Sequence, residues 1–472
     1  MSEINSNKSK KICFYHPHVH IISGGLFYFY KLADFISKNT DYTVYVVNYK
    51  DSEYTKIYQE KFPDTNLKFL AYEDTYGKLD NDTIFFTYLN MLPLMLESFK
   101  HLNDAKIYLI NFHPNSYLFL LNHLCVSKEK AIKNLFNIFY KTNSLTFMDK
   151  SCLDVVNECS GNSFSPNYIP AFLEKTNEEF ANLEIVDKDK INIGCVCRLD
   201  VDKIHTVINF LDNLYNCEFS KPIRVHIIGD GTHRKLIDVA KYKDKLEVIM
   251  TSYMYGDDLK RYVANNIDIA FNFGVAGLDM AAQKLPNAIP MYEQSPHSID
   301  RYYFLFDTKD YILGCKEELV DKYGIKTYTI KEIIELIYTG ENKKIFGERC
   351  YEYLVNNHML EVSASKFLTY MNETSLTFGK CLQYSPMKKL VEEFHIARKR
   401  GFNWDLFVSN KKSAKVYKNR ISLAFYGILL ILALIPFVKD HINLCKLQTK
   451  INKKINILTQ RKRRKWRWVI ME

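Results

Sequence analysis

The sequence predicts an α/β fold of two doubly wound domains facing a cleft, with a helical, membrane-associating extension at the C-terminal end. Three observations carry that expectation. At 472 residues the chain exceeds what one hydrophobic core organises, so two or more compact units are expected. Strand-like apolar runs alternate with helix-like periodic runs in two successive sets, the pattern of parallel sheets covered by helices on both faces. Near the end, an uncharged run of eighteen residues, 421–438, lies between two basic flanks.

The first set opens with the strand KICFYHPHV, a Gly turn SGG at 23–25, and the helix LFYFYKLADFISK, whose apolar residues recur at helical spacing. Strands are then expected at YTVYVVNY, DTIFFTYL, KIYLINF and SLTFMD. YIPAFLEK leads into an acidic stretch, TNEEFANLEIVDKDK, which reads as the linker. The second set runs through the strand INIGCVC, the helix HTVINFLDNLY, the strand IRVHIIGDG, a helix KLIDVAKY, the strand LEVIM, the helix DDLKRYVANN and the strand IDIAFNFG. The helix LDMAAQKL and a short strand AIPMYE follow, then helices to about residue 377. The expected boundaries are 1–178 for the first domain, 190–375 for the second, 378–420 for a basic connector and 421–472 for the extension. Ligands of doubly wound sheets bind beyond the carboxyl ends of the strands, so two such domains imply one crevice.

Composition excludes little but places the charge. Hydrophobic residues at 47% and charged residues at 25% are ordinary for a globular protein. Ten Lys or Arg against one acid between His441 and Glu472 account for nearly all of the formal net charge of +10. The body is close to neutral, which argues against a nucleic-acid-binding surface there. Eleven cysteines show no CxxC spacing and read as reduced, buried thiols; Cys195 and Cys197 share one face of a strand. The polar N-terminus runs straight into a strand, so no secretory signal is expected.

The apolar run, at 1.5 Å per residue, makes a helix of about 27 Å, just short of the roughly 30 Å hydrocarbon core. Lys411, Lys412, Lys415, Lys418 and Arg420 precede it and RKRRKWRW lies in the tail beyond it. Cations on both sides favour an in-plane or re-entrant helix over a single span, with the protein held on the cytoplasmic side of a membrane. RNA binding by the tail is the alternative.

Arg198 and Lys203 fall just past the strand INIGCVC. An arginine can grip two oxygens and a lysine adds a mobile charge, a pairing suited to a diphosphate; an ion pair of Arg198 with Asp200 or Asp202 is the competing reading. GDG at 229–231 lacks any phosphate-loop context and reads as a strand-ending turn. The histidines of HPHVH, His16, His18 and His20, have no matching Cys or carboxylate pattern, so no metal site is expected.

The ordered blocks GCVCRLDVDKIHTVINFL, VHIIGDGTHRKLIDVA, YMYGDDLKRYVANNIDIAFNFG and FGVAGLDMAAQKLPNAIP, with SGG upstream, resemble the family 4 glycosyltransferases over roughly residues 11–375. The resemblance implies the GT-B fold, two Rossmann-like domains facing a cleft, the first on the acceptor side and the second binding a nucleotide-sugar donor. It also implies no metal or other cofactor. Carried over position by position, Arg198 and Lys203 match the pair that neutralises the donor diphosphate. Gly24 and Gly25 match the glycine loop near the donor phosphate, with a tight structural turn as the alternative. Phe273 and Gly274 match the loop facing the transferred sugar, Asp279 matches a glutamate that binds the ribose, and His113 matches an active-site histidine, although an ordinary loop histidine also fits. The family's first glutamate is replaced by Phe271, and Lys284 stands where a glycine is usual.

The resemblance thus implies transfer of a sugar from a nucleotide sugar to a glycan or lipid-linked acceptor, with retention of configuration. Membrane docking through the tail suits such an acceptor. A catalytically weakened binding or scaffold subunit is the alternative that Phe271 leaves open.

Overall fold

The computed structural model describes residues 10–17, 24–124, 127–176, 180 and 189–399. The first six-stranded sheet is wholly parallel. It comprises β1 (Lys11–Tyr15), β2 (Thr43–Asn48), β3 (Lys68–Ala71), β4 (Thr83–Tyr88), β5 (Lys106–Asn111) and β6 (Leu145–Phe147), in the order β3-β2-β1-β4-β5-β6. Its helices are α1 (Gly24–Asn39), α2 (Glu53–Lys61), α3 (Leu92–Ser98), α4 (Ser116–His123), α5 (Lys128–Lys141) and α6 (Lys150–Ser160). The central strands are buried on both faces, which is why they read as continuous apolar runs.

The second sheet repeats the plan. β7 (Ile191–Val196), β8 (Ile223–Ile228), β9 (Leu246–Thr251), β10 (Ile269–Phe271), β11 (Asn287–Pro290) and β12 (Tyr302–Phe304) stand in the order β9-β8-β7-β10-β11-β12, with only β12 antiparallel. Around it lie α7 (Ile204–Tyr215), α8 (Gly256–Asn266), α9 (Val275–Ala281), α10 (Glu317–Tyr323), α11 (Ile330–Ile337) and α12 (Asn342–Asn357). In each sheet the strand order reverses once, between β1 and β4 and between β7 and β10. Those two reversals are where open α/β sheets leave a ligand crevice.

The chain then returns to the first sheet. α13 (Leu360–Glu373) places Phe367 flat against Phe14 of β1, ring centroids 5.5 Å apart. α14 (Phe378–Gln383) sets Phe378 on Phe85 of β4 at 5.0 Å, and α15 (Ser385–Lys399) pairs Arg398 and His395 with the buried Glu97 of α3 at 2.7 and 2.8 Å. The two lobes meet at a hinge where the Leu173 amide donates to the His358 carbonyl at 2.8 Å and Ser363 donates to the Pro170 carbonyl at 3.1 Å. A second junction joins the Lys150 amide to the Asp310 carbonyl at 3.1 Å and stacks Tyr168 edge-on to Tyr311.

Several local expectations change. KLIDVAKY is not a helix: it forms two 3-10 turns, Arg234–Leu236 and Val239–Tyr242, because the chain straightens at Ile237 to bury it and Asp238 caps the second turn through Ala240. The strand expected through Gly274 stops at Phe271. β3 and β12, short strands outside the expected set, extend the two sheets. Among the described residues no helix is long and apolar enough to cross a membrane; the run 421–438 and the basic tail lie outside the described residues.

Candidate functional site

The second sheet builds its site at the strand reversal. β7 ends at Val196 and carries Cys197 and Arg198 out of the sheet; β10 ends at Phe271 and carries Phe273 and Gly274 out beside them. Asn272, fully buried, ties the two exits together by accepting the Val196 amide on its side-chain oxygen at 2.6 Å. Lys203, the residue before α7, lays its ammonium over the Phe273 ring, 4.7 Å from the centroid. The Phe273–Gly274 loop is thus joined to the basic loop by a cation held against an aromatic face.

Arg198 is more than half exposed and bonds both neighbouring acids: Nε to Asp200 at 3.1 Å and a terminal nitrogen to Asp202 at 3.0 Å. Asp200 is anchored on its far side, accepting the Thr232 amide and hydroxyl at 2.8 Å each, and these bonds hold its carboxyl below the usual carboxylate range. The GDG turn packs directly on this loop. A Cβ on Gly229 would stand 1.9 Å from the Cys197 carbonyl oxygen, and its φ of +146° is open to glycine alone. A backbone approach of that closeness is the reason for the glycines.

Gly274, at φ +65°, precedes α9 and donates its amide to the Leu313 carbonyl at 2.7 Å. Asp279, on α9, is largely enclosed, and burial pushes its carboxyl up to about 6 against the opposing charge of Lys260. Among the described residues no group donates to that carboxylate. Phe271 faces the interior, packed between Phe210 at 5.0 Å and Tyr302 at 5.3 Å, so the position where the resemblance implies a glutamate belongs to the core. Lys284 adopts φ +55°, the left-handed backbone that explains a glycine there; its ammonium reaches Glu348 at 3.2 Å.

On the first lobe, Gly24 and Gly25 open α1, and Tyr88 at the end of β4 donates its hydroxyl to the Gly25 carbonyl at 2.8 Å. A Cβ on Gly25 would meet that hydroxyl at 2.8 Å, so the glycine admits the tyrosine. His113 follows β5. Its Nδ1 accepts the Asn115 amide at 3.2 Å, which leaves Nε2 to carry the proton. The ring edge is exposed, yet partial burial lowers its pKa, opposed by the charges of Asp149 on its own lobe and of Asp202 on the other. Asp202 is thus near enough to His113 for its charge to be felt across the two lobes. His16 is buried edge-on to Tyr88 at 4.5 Å, while His18 and His20 lie outside the described residues. Among the described residues no cluster of ligating side chains could hold a metal ion.

Sequence reasoning missed Asn272, Tyr88 and Asp149. Only Asn272 carried a signal, as a lone amide in the apolar run IDIAFNFG.

No family model matches the sequence, and no curated protein matches it. Among solved structures the chain is similar to a glycosyltransferase from Rickettsia africae ESF-5, with TM-score 0.51 and 13% identity over 78% of this chain and 98% of that one. It is similar also to TarM, with TM-score 0.51 and 11% identity over 78% and 100%. At such identities the likeness is one of fold: two Rossmann-like domains in the GT-B arrangement.

Proposed function

We propose that the chain is a glycosyltransferase, related to the family 4 enzymes, that moves a sugar from a nucleotide-sugar donor to a glycan or lipid-linked acceptor. One observation carries this reading: Arg198 and Lys203 stand at the strand reversal of the second sheet, beside the Phe273–Gly274 loop. Charge builds on the departing nucleotide diphosphate as the glycosidic bond breaks, and two cations fixed at that point lower the barrier. On this reading the side chains, not a metal ion, neutralise the leaving group.

Arg198 reaches the donor by exchanging partners. An exposed ion pair is worth about 0–1 kcal/mol, so a diphosphate displaces Asp200 and Asp202 from the guanidinium while the Thr232 bonds keep Asp200 in place. Asp279 is the acceptor for the ribose hydroxyls. His113, neutral with its proton on Nε2, faces the transferred sugar, and the hinge at Leu173 and His358 lets the lobes close and exclude water. Retention of configuration and a hexosyl donor are part of the proposal, as is docking of the basic tail on an anionic cytoplasmic membrane face, where each Lys or Arg adds about 1 kcal/mol.

The test is donor hydrolysis and transfer, with a panel of nucleotide sugars, for the full chain and Arg198→Ala. Turnover that falls about a hundredfold or more in the variant is the expected result. Donor binding without turnover would instead identify a scaffold subunit, the reading favoured by the burial of Phe271; no binding at all sinks both.

A further inference from the structure

The mouth of β7 also holds two thiols that the transfer chemistry leaves unused. The sulfurs of Cys195 and Cys197 lie 3.9 Å apart, since residues two apart on a strand project from one face and these two side chains turn toward each other. Cys195 is buried; Cys197 is half-buried and directly precedes Arg198. The hydrogen bond from the Cys195 thiol holds Cys197 below its ordinary pKa, helped by the Lys203 charge and opposed by burial. The same bond, with burial, holds Cys195 above its own. The other described cysteines are all pushed upward by burial, so Cys197 is the described thiol with the most thiolate character.

We propose that Cys197 and Cys195 form an oxidant-sensitive modification site, in which a peroxide oxidises Cys197 and Cys195 closes a disulfide with it. The Cys197 thiolate attacks one oxygen of hydrogen peroxide; the O–O bond breaks, hydroxide leaves, and the sulfur becomes a sulfenic acid, two electrons having passed to the peroxide. The Cys195 sulfur then loses its proton and displaces hydroxide from the sulfenic sulfur. An S–S bond forms, an S–O bond breaks, and water departs. A dithiol reductant restores both thiols by exchange.

The bridge brings the sulfurs to about 2 Å, and the Cys197 side must move. Its amide donates to the Ile228 carbonyl at 3.1 Å and its carbonyl lies so close to Gly229 that a Cβ there would stand 1.9 Å away, so on this proposal strain from the bridge is felt in the loop that carries Arg198. That consequence for the donor rests on the proposed function; the sulfur chemistry does not.

Trypsin cleaves after Lys190 and Arg198, which places both thiols in one peptide, 191–198. Native full-length protein treated with hydrogen peroxide, alkylated and digested should yield this peptide two hydrogens lighter and unalkylated, with dithiothreitol reversing the change. In Cys195→Ser the peroxide should instead leave Cys197 as a sulfenic acid trapped by dimedone, and in Cys197→Ser oxidation of this peptide should slow at least about tenfold. Circular dichroism checks that both variants fold, and the wild-type result stands without them. Absence of the bridge in the wild type, or labelling of Cys197 no faster than the other cysteines, overturns the site. A bridge that leaves nucleotide-sugar affinity unchanged overturns its link to Arg198 alone; loss of all donor binding in reduced protein instead sinks the glycosyltransferase reading and leaves the thiol site standing.

Discussion

Asn272 accepts the Val196 amide on its side-chain oxygen at 2.6 Å, which locks the end of β10 to the end of β7 where the second sheet reverses its order. Replacing Asn272 with Ala leaves that partly buried amide without its acceptor. The expected cost is about 2–3 kcal/mol, read as a lower urea midpoint with unchanged slope. A slope that falls would mean that the native or unfolded ensemble had changed instead.

Gly229→Ala tests the pressure of the GDG turn on the basic loop. A methyl group 1.9 Å from the Cys197 carbonyl oxygen cannot be accommodated without moving backbone, and φ of +146° adds strain. A loss of more than about 3 kcal/mol, or failure to fold, is expected. A near-neutral substitution would show that this junction yields freely.

Lys284→Gly should act in the opposite direction. The left-handed backbone at φ +55° favours glycine, and the surface pair with Glu348 contributes little. A gain of about 0.5–1 kcal/mol by denaturant titration is expected.

On the proposed function, Asp279 should give donor binding a pH dependence. Its carboxyl, pushed up to about 6 by burial, is largely neutral at pH 5 and ionised at pH 7, and the ionised form is the stronger acceptor for the ribose hydroxyls of the proposed donor. Donor affinity measured by calorimetry should therefore rise through pH 6, and Asp279→Asn should flatten that rise. An unchanged profile in the variant would move ribose recognition elsewhere.

His358 governs acid stability at the hinge. It is fully buried, with Nδ1 donating to the Ala171 carbonyl at 2.7 Å, and burial lowers its pKa to about 4. The unfolded chain takes up this proton near pH 6.5, before the folded one does, so stability is full above that pH and declines as pH falls toward 4. The decline from this residue is about 3 kcal/mol. His358→Asn should cost stability at neutral pH yet reduce the slope between pH 6.5 and 4 in thermal melts; part of the slope persists through His226, whose pKa burial also lowers to about 4.

Most of the sheet was legible because its strands are buried on both faces and so appear as unbroken apolar runs, KICFY, TIFFTY and INIGCV among them. KLIDVAKY does not reveal its two turns because its apolar spacing suits a helix equally well; what decides it is the burial of Ile237 and Tyr242 against neighbours distant in sequence. β12 has only three residues, too few for a period to show. Within the site, Arg198, Lys203 and Gly274 could be located by their order along the chain. The attachment of Arg198 to both Asp200 and Asp202, and the interior position of Phe271, could not, since each depends on a rotamer and a set of neighbours rather than on spacing.

The amino-acid order by itself determined the two alternating sets, the residues that leave the sheet at the end of β7, and the concentration of positive charge in the tail, because periodicity and charge are properties of the chain. Only the tertiary structure decided that α13, α14 and α15 return to the first sheet, that the charge of Asp202 on one lobe is felt by His113 on the other, and that two thiols meet beside Arg198. Those relations arise from packing between segments far apart in sequence, or from side-chain rotamers chosen by that packing, and no local pattern encodes either.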